Sequence, residues 1–310
     1  MCVPTADPTG RRFSIRTGGV AAEITEVGAA LRSLQVGGVH IVPGYAEGMP
    51  MPAAAGLVMV PWPNRVRDGV WRQRGREHRL ALTEPALGNA SHGLLRFTAY
   101  RVLSRRAGRV TLGAVIYPQT GYPFHVVSSV RYRVSADGLE VRHELTGAGP
   151  DAAPVAVGAH PYLQIEGWDT ADLLLQVPGE RWYPTDARSL PLDPLPVDAS
   201  HDLRSPRPVG DLDLDTCYTQ LSRDDDDRVR VRLTAPGGPQ VTLWGGSGIR
   251  HVQVFTTDRY PGHPLALAVE PMSAPPDALN SGVDLRWLAP GESWRVEWGL
   301  TLAPAEERSA

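Results

Sequence analysis

Residues 131–145 read Arg131-Tyr-Arg-Val-Ser-Ala-Asp-Gly-Leu-Glu-Val-Arg-His-Glu-Leu145, and the alternation in this stretch decides the fold class. Tyr132 and Val134 alternate with Arg131, Arg133 and Ser135, and Leu139, Val141 and Leu145 alternate with Glu140, Arg142 and Glu144. Successive strand side chains point to opposite faces, so this is the pattern of two strands with one dry and one wet face. Asp137-Gly138 between them is a hairpin turn signal. Outward from this hairpin, short strand-type runs recur at Val20–Thr25, Leu31–Val36, Tyr100–Leu103, Val110–Ile116, Val126–Val134, Leu173–Val177, Val229–Thr234, Val241–Trp244, His251–Thr256, Leu265–Val269 and Trp294–Leu302. No window sustains a 3.6-residue apolar period, and 32 glycines and 29 prolines punctuate the chain. The expected fold is all-β, a large antiparallel sandwich or barrel.

The remaining composition narrows the function classes. A net charge of -3 over 310 residues gives no electrostatic footprint for nucleic acid or an anionic membrane. All 31 basic residues are arginine, which removes Schiff-base lysine chemistry and the P-loop lysine. Only Cys2 and Cys217 are present, so no disulfide framework is expected, and a reducing compartment follows. The first residues lack the apolar core of a secretory signal and no apolar run reaches membrane-span length. These features predict a cytoplasmic protein. Residues 178–211 turn rich in proline, aspartate and serine; with strand patterns on both sides, they read as a surface excursion of one domain over 1–310, of the kind that often carries function. Asp224–Asp227 reads as a solvated loop, since the spaced ligands and glycine of a calcium loop are missing.

Three segments end an apolar run on a chemically useful residue. In Val155-Ala-Val-Gly-Ala-His160-Pro161, the proline pushes His160 toward an extended conformation and removes a donor behind it. Leu265-Ala-Leu-Ala-Val-Glu270-Pro271 repeats the design; burial there would raise the carboxyl toward neutrality, where a general base works well. In Gly88-Asn-Ala-Ser-His92-Gly93, flanking glycines permit a tight approach of the imidazole to a ligand. Trp62, Asn64 and Arg65 in Pro61-Trp-Pro-Asn-Arg-Val66 combine a flat aromatic face with planar donors, a set suited to a sugar. Asp215 closes an alternating Asp211-Leu-Asp-Leu-Asp215 run and is either a solvent-facing strand residue or a ligand contact. No histidine pair has metal-ligand spacing, and neither a nucleophile elbow nor a dinucleotide fingerprint occurs.

In this order, Pro61-Trp-Pro-Asn-Arg-Val, Gly88-Asn-Ala-Ser-His-Gly-Leu, Gly158-Ala-His-Pro-Tyr-Leu, Asp202-Leu-Arg, Leu214-Asp-Thr-Cys-Tyr, Val269-Glu-Pro-Met-Ser-Ala-Pro-Pro-Asp-Ala-Leu-Asn and Leu288-Ala-Pro-Gly-Glu-Ser-Trp resemble the aldose 1-epimerase (mutarotase) family over nearly the whole chain. The resemblance implies a galactose mutarotase-like supersandwich that interconverts the α and β anomers of a free aldohexose without a cofactor, as a monomer or homodimer. It implies Glu270 as general base on the C1 hydroxyl and His160 as general acid on the ring oxygen, with Arg65, His92, Asp215 and Asn64 holding the sugar. A non-catalytic sugar-binding protein, or a glycoside hydrolase using Glu270 and Asp215, are the alternatives. Pro161-Tyr-Leu-Gln164 follows His160 where the family often has Tyr-Phe-Asn, which leaves the sugar preference open. The geometric expectation is that Pro161 and Pro271 stop their strands, with His160 and Glu270 on either side of a pyranose-sized space.

Overall fold

A computed structural model describes residues 7–305; Cys2 lies outside them. Nearly all regular structure is antiparallel β. Strands Arg12–Thr17, Val20–Thr25, Leu31–Val36 and Val39–Val42 form a four-stranded meander. A nine-stranded sheet runs in the spatial order Arg101–Arg106, Arg109–Ile116, Val126–Ser135, Gly138–Gly147, Ser293–Ala303, Gln240–Gly245, Val229–Thr234, Leu174–Gln176 and Arg207–Pro208. An eight-stranded sheet runs through Leu195–Pro196, Gly179–Tyr183, Asp215–Leu221, His251–Thr257, Ala266–Met272, Gly158–Ala159 and Val58–Met59, with Tyr162–Leu163 also paired to Ala266–Met272. One cluster of buried apolar side chains draws on all three sheets, including Ile15 and Leu31, Val130, Val141 and Leu300, and Val254, Leu267 and Val269. This is the sandwich that the alternation predicts.

The hairpin forms in register from Val126↔Gly147 to Ser135↔Gly138, and its dry face carries Val130, Tyr132, Val134, Leu139 and Val141. Its two-residue loop is Ala136-Asp137, one position earlier than the Asp-Gly signal suggests. Gly138 is needed for a different reason. It pairs with Thr301 of the next strand, and a Cβ there would sit 2.0 Å from the Leu300 carbonyl oxygen. The 178–211 excursion holds short strands and closes back over the rest of the chain: Arg188 donates to the carbonyls of Leu87 and Gly88 and pairs with Asp68. The acidic run at Asp224–Asp227 is tied by Arg223, Arg228 and Arg230.

His143, on the dry face of the hairpin, accepts a hydrogen bond from Trp298 Nε1 at 3.0 Å, so its Nε2 must be unprotonated. Burial holds its pKa down at about 3, against 6.5 for a free imidazole. The unfolded chain therefore takes up a proton that the folded chain refuses, and the stability this group contributes is complete above pH 6.5 and is lost as pH falls through that window. Melting temperatures should decline between about pH 7 and about pH 4, and more gently in His143→Gln. Identical slopes for wild type and variant would remove His143 from this account.

Candidate functional site

The Ala266–Met272 strand is buried along its whole length, yet its two faces differ. Leu267 and Val269 enter the main core, whereas Ala266, Ala268, Glu270 and Met272 face the other way, toward two smaller clusters built around Tyr162 and Tyr260, and around Met59 and Cys217. Glu270 is thus a carboxyl at a fully covered position, 2% exposed. Adjacent strands add neighbours on this face. Gln253 pairs in register with Glu270, and Asp215 pairs with Phe255 two residues further along, so that Gln253 Nε2 reaches Asp215 Oδ1 at 2.6 Å. Asp215 is the first residue of its strand; Val209–Asp211 is a 3-10 turn, so the apparent alternation back to Asp211 does not belong to it.

His160 completes the row from the other side. Gly158 pairs with Met272 and Tyr162 with Ala268, so the position midway, His160, lies opposite Glu270. His160 Nε2 stands 3.2 Å from Glu270 Oε1, with His160 itself 4% exposed and stacked on Tyr162. The space expected between the two residues is therefore not there; they touch. Pro161 does interrupt its strand, but Pro271 does not end the other, which runs on to Met272. The ladder explains both. Val269 and Ser273 donate to the carbonyls of Pro161 and Val157, and Pro271 midway has no N–H to give. The two strands are joined on each side of the His160–Glu270 pair and open at it.

The remaining groups come from the other end of the chain. Strands Arg65–Val66 and Ala90–Ser91 pair, which sets His92 beside Asn64, whose carbonyl accepts from His92 N at 2.8 Å. Asn64 and His92 both hold left-handed backbone (φ 53° and 60°), and a Cβ on Gly93 would meet the Val60 carbonyl oxygen at 2.1 Å. Asparagine and histidine tolerate that conformation better than most residues, and only glycine fits the close approach at 93. Asp277, just past the Glu270 strand, ties this segment down: its N–H donates to Arg65 O at 2.7 Å and its Oδ1 accepts from Arg67 N at 3.0 Å.

His160, Glu270, Asp215, Arg65, His92 and Asn64 all line one cavity of about 380 Å³, together with Glu84, Arg96, Phe255 and Arg259. Arg65 is held on both sides, donating to Glu84 from Nε and Nη2 at 2.8 and 3.1 Å and to Asp215 from Nη1 at 3.1 Å. Ser189 of the 178–211 excursion presents its carbonyl to the same guanidinium. His92 sets its ring edge-on to His160 at 5.5 Å, with Nδ1 against Met59 Sδ. Trp62 is the exception among the expected sugar contacts. It is 2% exposed, tilted against Tyr122 in the core, and absent from the cavity wall. Glu84, Gln253, Arg96 and Arg259 escaped sequence reading. Glu84 precedes a proline as Glu270 does, the one signal that could have found it.

Burial sets the electrostatics. It pushes Glu270 well above the ordinary carboxyl range, and the nearby Asp215 adds to the effect. It pushes His160 down to about 4, with a further contribution from Arg96. Both shifts disfavour charge, so the pair at neutral pH is an uncharged imidazole beside a carboxyl that tends to keep its proton. Glu270 Oε2 and His160 Nδ1 have no partner among the described residues. Such a pair can take a proton from one oxygen and give one to another without any metal or covalent intermediate.

Comparison with known proteins agrees with this architecture. The aldose 1-epimerase family profile matches residues 11–301. The uncharacterized protein YihR of Escherichia coli K12 is 34% identical over 296 residues, covering 94% of this chain and 93% of that protein. Among solved structures, the GalM/aldose epimerase homologue from Caenorhabditis elegans superposes with a TM-score of 0.83 at 17% identity, covering 96% of this chain and all of that one. A galactose 1-epimerase from Lactobacillus acidophilus gives 0.79 at 17% identity, with 95% of each chain covered. These distant structures share the galactose mutarotase-like fold. The match along nearly the whole sequence makes this chain a member of the aldose 1-epimerase family.

Proposed function

We propose that the protein is a mutarotase that interconverts the α and β anomers of an aldohexose in the cavity around His160 and Glu270. The observation that carries this reading is the 3.2 Å contact between two oppositely shifted proton-transfer groups on the wall of a sugar-sized cavity. Ring opening begins with Glu270 as carboxylate and His160 as imidazolium. Glu270 takes the C1 hydroxyl proton while His160 gives one to the ring oxygen. The pair then stands as neutral imidazole and protonated carboxyl, the state that burial favours. Rotation about C1–C2 and the reverse transfers close the other anomer. The buried environment therefore stabilises the pair as it exists in the open-chain complex. Arg65, fixed by Glu84 and Asp215, and the Asn64 amide supply donors to the hydroxyls.

Polarimetry of freshly dissolved α-D-glucose and α-D-galactose tests the activity; no acceleration of either would refute it for those sugars. The pH profile tests the pair. Two protons on the pair leave nothing to accept from C1, so the acid limb of kcat/KM should fall near the depressed His160 value of about 4 rather than near 6.5. An acid limb centred on 6.5 would mean that an unperturbed imidazole controls the reaction.

A further inference from the structure

His92 lines the cavity, and the one side-chain bond it makes among the described residues is to a sulfur: its Nδ1 lies 2.9 Å from Met59 Sδ. A thioether sulfur carries no hydrogen and can only accept. Burial, reinforced by the neighbouring His160, Arg96 and Arg65, keeps the ring uncharged. The single proton of that neutral ring therefore belongs on Nδ1, and Nε2 keeps its lone pair. The sulfur is brought there by the packing beneath it. Met59 is fully buried on the short strand Val58–Met59, which pairs with Gly158–Ala159. Gly158 faces Met59 in register, and a Cβ there would sit 2.8 Å from the Met59 methyl carbon and 3.2 Å from Met272 Cγ. The glycine two residues before His160 thus makes the room in which the Met59 side chain lies against His92.

We propose that Met59 is a positioning residue that fixes the tautomer of His92, so that His92 Nε2 meets the sugar as a hydrogen-bond acceptor. A neutral imidazole can carry its proton on either nitrogen, and the bond made by one nitrogen decides what the other presents. The cavity needs an acceptor. Arg65 is a donor only, and the Asn64 oxygen already accepts from Arg65 N, which leaves the Asn64 amide to donate. The two carboxylates beside them, Glu84 and Asp215, are held by Arg65. A sugar hydroxyl has one hydrogen and two lone pairs. When its oxygen accepts from Arg65 or Asn64, its hydrogen has to go elsewhere, and the bare Nε2 of His92 receives it. With the proton on Nε2 instead, His92 would set a second donor against the same hydroxyl.

The acceptor role rests on the mutarotase reading; the tautomer does not, and the two are measured separately. Met59→Leu keeps the apolar volume and removes the sulfur. With 15N-labelled histidine, long-range 1H–15N correlation on the free protein should show the His92 proton on Nδ1 in the wild type and mainly on Nε2 in Met59→Leu. His92→Gln identifies the resonance by its loss. A proton on Nε2 in the wild type, or the same tautomer in both proteins, overturns the proposal whether or not any sugar is turned over. The acceptor is tested by anomer exchange of D-glucose or D-galactose, whichever is turned over, and of its 2-, 3-, 4- and 6-deoxyfluoro derivatives, followed by 19F NMR. Met59→Leu should raise KM for the parent sugar about three- to tenfold while kcat stays within about twofold, the pattern of a lost binding contact. Fluorine has no hydrogen to give. One derivative should therefore carry a KM penalty, relative to the parent sugar, about three- to tenfold larger in the wild type than in Met59→Leu. Comparing two proteins on one derivative cancels the effect of fluorine on ring opening itself. If no derivative separates the two proteins, His92 is not the acceptor. If no aldose is accelerated, the mutarotase reading and the acceptor role fall together, and the tautomer measurement still decides the part played by Met59.

Discussion

Glu270→Gln should lower kcat for anomer exchange by about 10³-fold while leaving the melting temperature within about 2 °C of wild type. The two halves of this expectation have separate causes. Glutamine matches the shape of the carboxyl and carries no charge, and burial already favours the uncharged form of Glu270. The fold has little to lose. On the proposed mechanism the reaction loses the group that takes and returns the C1 proton, and one positioned proton transfer is worth roughly 10²–10⁴ in rate. His160→Asn removes the other half of the exchange. Because neither transfer proceeds without its complement, the double variant should be scarcely slower than either single one. Retention of more than about a tenth of wild-type kcat in Glu270→Gln would sink the acid–base assignment. A large fall in melting temperature would recast the residue as structural.

Arg65→Met should act mainly on stability. The guanidinium binds Glu84 twice and Asp215 once, and its side chain is 16% exposed against 26% and 33% for the two carboxylates. Removing it leaves two partly covered negative charges facing each other without a counter-ion. Loss of one partner from a fully buried pair costs about 3–5 kcal/mol. The partial exposure here scales that to about 2–3 kcal/mol, a fall of several degrees in melting temperature for a chain of this size. Arg65→Met/Glu84→Gln should recover part of the loss, because it removes one of the orphaned charges. Sugar affinity should not return with it, since the donors remain absent. Equal destabilisation by the single and double variants would show that Arg65 contributes by packing rather than by charge.

What could be read from the chain was what is periodic or punctuated. Val20–Thr25, Leu31–Val36 and Val229–Thr234 form at the expected boundaries because their alternation and flanking turns are local. His160 and Glu270 were visible because a proline follows an apolar run in each case. Their direct contact was not, since it depends on the register between strands more than a hundred residues apart. Trp62 shows the opposite failure. Prolines on both sides fix its backbone, but only packing against Tyr122 decides which way the ring turns, and it turns inward. Gln253 has no punctuation at all; its place beside Asp215 and Glu270 exists only once three strands are side by side.

The placement of Asp215, Gln253 and Glu270 on three neighbouring strands, with His160 at the break between two short strands beside Glu270, limits how the site can vary. Gln253 and Glu270 face each other in register one strand spacing apart, about 4.8 Å, a distance that no loop can stretch or shrink. The cavity residues at 96 and 259 sit on connections between strands and carry no such constraint. On the proposed mechanism, side chains on the connections can therefore be exchanged without shifting the proton-transfer pair that the sheet holds in place.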